Sequence, residues 1–123
     1  MSYTEYHRQH QDESLNKQNY EYCKFTLETL IHNNLNTIFL VGSGGNGKSY
    51  LLNECREKII ENDYKIYDDN HLIIALQNGD EFKTNISLMA PKKIIALNYN
   101  PYTRFNVEKP ENVIIIDMNH IMF

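Results

Sequence analysis

The sequence predicts an α/β fold, a three-layer sandwich around a mostly parallel sheet, and three observations carry that prediction. Residues 38–41, 92–97 and 113–116 are near-continuous apolar runs, as in strands buried on both faces. Segments with a helical apolar period lie between them, and strands alternating with helices make βαβ units. A glycine-rich turn joins the first run to the helix behind it. A chain of 123 residues encloses one core, so it reads as a single domain.

Residues 1–14 are polar and charged without an apolar period and read as a tail, leaving 15–123 as the domain. Tyr22, Phe25, Thr29, Leu30 and Ile31 suggest an amphipathic helix over 15–34, ended by Asn33-Asn34. The first strand is 37–41. The helix after the glycine turn, 50–60, places Leu51, Leu52, Cys55, Ile59 and Ile60 on one stripe. Glu54 and Lys58 pair at i, i+4 on its other side. It stops near Asn62-Asp63. A short strand over 64–67 follows and ends in Asp68-Asp69. Residues 71–77 suggest a helical turn or two, closed by Asn78-Gly79 as a left-handed cap. Pro91 precedes the strand over 92–97, and the last strand, 113–116, ends in Asp117.

The glycine turn carries the chemistry. Gly42, Ser43, Gly44, Gly45, Asn46, Gly47, Lys48 and Ser49 fit G-x-x-x-x-G-K-[ST] between a strand and a helix, the context this phosphate-binding P-loop motif requires. Successive amides in such a turn form an anion nest, and the helix dipole adds partial positive charge. The glycines let the chain take up φ > 0 and sit close to phosphate oxygens. Lys48 is expected to reach the β- and γ-phosphates, and the Ser49 hydroxyl to ligate Mg²⁺. The fold class thereby narrows to a P-loop NTPase sandwich of reduced size, with ATP and Mg²⁺ as cofactors.

Hydrolysis also needs a carboxylate, to hold Mg²⁺ through water or to orient the attacking water. Asp68-Asp69 and Asp117 each stand at a strand end, and Asp117 closes the purer apolar run. An amide at the end of 92–97 suits a sensor of the γ-phosphate or of water. Asn98 and Asn100 are both placed for it, though Asn-Pro also starts turns.

Composition limits the partners. A net charge of −4 and a pI of about 5.7 supply no global basic field for nucleic acid. Lys83, Lys92 and Lys93 form a small basic patch or are ordinary solvated charges; Tyr99 and Tyr102 stack on a base or pack on the sheet end. Cys23 and Cys55 lie on separate helices without a CxxC pair and read as buried thiols. The five histidines show no metal-ligand spacing. No apolar run nears the roughly 18 residues of a membrane span, and the polar N-terminus is no secretory signal, so a soluble intracellular protein is expected.

Three pieces in one order resemble the viral and phage superfamily-three helicases, in particular the ATPase domain of poxvirus and phage primase-helicases. Residues 42–49 resemble that family's Walker A, including the Asn before Gly-Lys-Ser. Residues 76–83, with Asn78-Gly79-Asp80, resemble its Gly-Gly-Asp segment, and 92–101 resemble its motif C, a strand ending in Asn with proline shortly after. The likeness spans about residues 38 to 123. It implies Asp68 and Asp69 as the Walker B acids, holding Mg²⁺ with Ser49, and Asn98 as the sensor. Lys48, Asp68, Asp69 and Asn98 are then the catalytic set.

Single-stranded DNA and self-association are the further partners the resemblance implies, with a role in viral DNA replication in host cytoplasm or a virus factory. The stretch between Walker A and Walker B is shorter than the family's. Asn78 replaces a glycine, and Arg104, the sole arginine after Arg56, has no clear match to the arginine presented to a neighbouring subunit. Mg-dependent ATP hydrolysis is the expected function. The alternatives are a non-hydrolysing nucleotide-binding remnant and a small P-loop kinase.

Overall fold

A computed structural model describes residues 3–44, 47–69, 78–119 and 121, with the side chains of the first helix from Leu15 onward. Strands β1 (Thr37–Val41), β2 (Lys65–Asp68), β3 (Lys93–Leu97) and β4 (Val113–Asp117) form one sheet in the order β2-β3-β1-β4. Every pairing is parallel, where the sequence predicts a mostly parallel sheet. All five residues of β1 are buried, as an unbroken apolar run demands.

Side chains alternate across a strand, so β1 feeds two cores. Ile38 and Leu40, with Ile94 and Ile116, pack under α1 (Tyr3–His32), α2 (Lys48–Glu54) and α3 (Arg56–Glu61). Phe39, Val41, Ile95 and Leu97 pack on the other face under α4 (Gly79–Leu88) and α5 (Pro101–Arg104). The result is a parallel sheet with helices on both faces. Full burial of one Leu, Ile or Phe stabilises by about 1.5–3 kcal/mol, and among the described residues thirteen Leu, Ile, Phe and Met side chains have under 2% of their surface exposed. Both cores therefore contribute.

Crossover direction explains which face each helix takes. From β1 the chain moves outward past β3's place to β2, with α2 and α3 on one face. It then reverses toward β3 and on to β4, with α4 and α5 on the other. Parallel crossovers are right-handed, so a reversal of direction forces a change of face.

Three helices end by one device. Asn34, Asp63 and Asn106 are left-handed, with φ of 59°, 62° and 51°. After α1, Asn34 N–H donates to Ile31 O at 3.0 Å and Leu35 N–H to Leu30 O at 3.1 Å. The same pair of bonds follows α3 at Asp63 and Tyr64, and α5 at Asn106 and Val107. Each is a Schellman end followed by an apolar residue that returns to the core. The stops expected at Asn33-Asn34 and Asn62-Asp63 thus hold.

Other local expectations change. α1 starts at Tyr3, well before Leu15, in a stretch free of Gly and Pro. Its buried stripe is Tyr20, Cys23, Leu27 and Ile31, while Tyr22 and Phe25 are exposed and Thr29 donates its hydroxyl to Phe25 O. Of the expected positions Ile31 is buried and Leu30 partly so, whereas Tyr22, Phe25 and Thr29 lie off the stripe; Leu27, with Cys23 one turn before it, decides the face. The helix expected over 50–60 is α2 and α3 joined at Cys55. Cys55 N–H donates to Leu51 O at 3.1 Å and Ile59 N–H to Cys55 O at 3.0 Å, so the pair forms one bent helix. Leu51, Cys55 and Ile59 are buried and Ile60 is exposed.

Glu54 and Lys58 reach across to α1 rather than to each other. The Tyr20 hydroxyl donates to Glu54, Lys24 lies 3.6 Å from it, and Lys58 pairs with Glu28. Asn78-Gly79 opens a helix instead of closing one. Asn78 is extended (φ −153°), its Oδ1 accepts from Glu81 N–H at 2.9 Å, and its Nδ2 donates to the Glu81 carboxylate at 3.1 Å. That reciprocal pair resembles a capping box, and Asn78-x-x-Glu81 was its sequence signal. The turn expected over 71–77 lies outside the described residues. Cys23 and Cys55 are free, buried thiols, as expected, and burial raises both pKa values. No helix among the described residues is long and apolar enough to cross a membrane.

Candidate functional site

Register places the strand ends along one edge. Val41 lies opposite both Leu97 and Asp117, and Asp68 lies opposite Ala96. Gly42, Asn98 and Met118 therefore leave the sheet at one level, with Asp69 one residue below, beside Leu97. The connection after β1 goes to one face of the sheet and the one after β3 to the other. This opens a crevice where ligands of parallel α/β sheets bind.

Gly42, Ser43 and Gly44 leave β1 at that crevice, and Gly47 returns the chain to α2. Gly42 N–H donates to Leu97 O at 3.1 Å, fixing the loop's start to β3. Gly47 is left-handed (φ 80°, ψ 19°) and immediately precedes α2, so a side chain at this position would be strained. A Cβ built on Gly44 meets nothing within 4 Å, and the loop faces open space there. Gly45 and Asn46 lie outside the described residues.

Lys48 turns its ammonium back over the loop. It donates to Gly42 O, and Ser43 O and Asn98 Oδ1 each lie 3.4 Å away. One cation thereby touches the loop and the amide at the tip of the neighbouring strand. Burial pushes the Lys48 pKa down, and Asp69 acts against it. The Ser49 side chain follows, exposed on the first turn of α2.

The two amides after β3 point to different partners. Asn100 caps α5, its Oδ1 accepting from Tyr102 N–H at 3.0 Å and Thr103 N–H at 3.5 Å. Asn98 is exposed and faces Lys48. Among the three aspartates, Asp69 is the one whose charge acts on Lys48. Asp68 ends β2 beside it, half-buried. Asp117, across β1 from both, accepts from Asn119 and its charge falls on Cys23.

The lesser candidates scatter. Lys92 donates to Asn34 Oδ1 and Asn62 O and lies over the Tyr64 ring, whereas Lys93 is buried and donates to Ala90 O. Lys83 on α4 lines a groove together with Lys93, while Lys92 turns to the Asn34 and Asn62 side. Tyr102 packs edge-on to Phe39 and Phe82 inside the core. Arg104 places its guanidinium 4.3 Å over the Tyr99 ring. Among the described residues no group of three or more His, Cys, Asp or Glu side chains could hold a metal by itself.

Asn119 is the site residue that sequence reasoning missed: its Oδ1 accepts from Ser43 N–H at 3.0 Å. The signal was faint, an Asp-x-Asn turn following an apolar strand. Comparison with protein-family models, characterised proteins and solved structures returns no match.

Proposed function

We propose that the chain is an ATP-binding P-loop NTPase, reduced in size, that hydrolyses ATP with Mg²⁺. The observation that carries this reading is the position of Lys48, held over the loop carbonyls while facing Asn98 and feeling the charge of Asp69. A loop, a cation, an amide and an acid converge on one crevice, and phosphoryl transfer depends on positioning and electrostatic stabilisation.

The residues present fit both cofactors. Gly47's left-handed turn and Gly44's open face suit close approach of a polyphosphate. Mg²⁺ is commonly bound by one or two carboxylates together with substrate phosphates. A site with Ser49 and Asp68-Asp69, but no complete protein cage among the described residues, suits that arrangement. Mg²⁺ held there by Ser49, Asp68 and Asp69 would supply positive charge against the negative charge that develops in phosphoryl transfer. Lys48 releases the loop carbonyl to donate to the phosphates, the loop amides orient them, Asp69 orients the attacking water and Asn98 holds its other side.

The strand ending in Asn98 beside the P-loop strand supports kinship with superfamily-three helicases. Single-stranded DNA, self-association and an intracellular role in viral DNA replication belong to the same proposal. A second reading, a nucleotide-binding remnant without turnover, is favoured by Arg104, which stacks on its own chain's Tyr99. ATPase assays with and without single-stranded DNA separate the two. Turnover in either condition supports hydrolysis; measurable ATP affinity with none supports the remnant.

A further inference from the structure

We propose that Asp117 and Asn119 form a clamp that sets the entry of the glycine loop, with Asn119 as a positioning residue for nucleotide binding. This rests on the P-loop reading and gives Asp117 a task other than holding Mg²⁺.

The argument is one of donors and acceptors. Asp117 Oδ1 accepts from Asn119 N–H at 2.9 Å and from Asn119 Nδ2 at 2.8 Å. A carboxylate can only accept, so it draws the amide's NH₂ toward itself and leaves Oδ1 facing away. That oxygen accepts from Ser43 N–H at 3.0 Å. The charge on Asp117 thus fixes which end of the Asn119 amide meets the loop. Just behind, Met118 N–H donates to Val41 O at 2.7 Å, so the segment carrying Asn119 is itself anchored on β1. Gly42 is held on the opposite side, by Leu97 O. The first two loop residues are therefore pinned between β3 and the end of β4. Preorganisation of this kind raises affinity by removing ordering costs from the binding step.

Three variants of the full chain test it: Asn119→Ala, Asn119→Asp, and Asn119→Asp combined with Asp117→Asn. The first removes the clamp. The second keeps an acceptor for Ser43 but sets two carboxylates together. The third restores an amide–carboxylate pair with donor and acceptor exchanged. Hydrogen exchange at the Ser43 amide, followed by NMR, should accelerate about tenfold in both single variants and return toward the wild-type rate in the double one. The dissociation constant for Mg·ATP should rise about three- to tenfold in the single variants and recover in the double, the order of one lost hydrogen bond. Ser43 exchange that is unchanged in Asn119→Ala overturns the clamp, and faster exchange with unaltered affinity overturns its positioning role. If wild-type protein binds no Mg·ATP, the proposed function fails instead, while the exchange rates still decide whether the clamp exists.

Discussion

At the scale of single residues, the aspartates were the hardest to rank from sequence and are the most separable in the structure. All three stand at strand ends, and pattern purity favours Asp117. Spatially, β3 and β1 stand between Asp117 and the Asp68-Asp69 end of β2, and only Asp69 influences Lys48. Strand order is a long-range property, so no local pattern could reveal it. If Asp69 orients the attacking water, Asp69→Asn should lower kcat about 100-fold or more with little change in ATP affinity. Asp117→Asn should weaken affinity modestly and spare kcat. Steady-state kinetics on the two variants check this, and equal kcat losses would contradict the assignment.

Among the elements, those with strong local chemistry were legible. β1, β3 and β4 follow from their apolar runs, and the ends of α1 and α3 from Asn34 and Asp63. α4 was missed because its apolar residues are few. Phe82 is fully buried, but Ile86 is only partly so and Leu88 is 79% exposed. The start of α4 is also crowded. A Cβ on Gly79 would lie 2.7 Å from Val107 Cγ2 and 3.4 Å from Phe105 O, although the residue sits in an ordinary helix. Gly79→Ala should therefore destabilise by about 1–3 kcal/mol through overpacking, despite alanine's better helix propensity. Urea unfolding should show a lower midpoint at an unchanged slope. An unchanged or higher midpoint would mean that Val107 moves aside freely.

For the molecule as a whole, the α/β class and the parallel sheet were legible because alternation of strand and helix admits few packings. The division of helices between the faces was not, since it follows from the reversal of crossover direction. Both cores hold buried tyrosines, and these set a pH limit. Burial pushes Tyr102 up to about 12 from 10.0 and raises Tyr64; burial and the Glu54 carboxylate raise Tyr20. The folded state keeps these protons longer than the unfolded chain does. The contribution of Tyr102 is complete below pH 10 and is lost as pH rises toward 12, and Tyr20 and Tyr64 act in the same direction. Cys23 and Cys55, raised from 9.0, begin the decline. Urea midpoints should fall steadily through that window, and a flat profile would show the phenols to be solvated. The central claim is that the crevice at the strand ends takes a nucleoside triphosphate, and calorimetric titration with Mg·ATP of wild-type and Lys48→Ala protein tests it most directly. Saturable binding by the wild type, lost in the variant at an unchanged thermal midpoint, is the predicted result; equal affinity in the two, or no heat from the wild type, would contradict it.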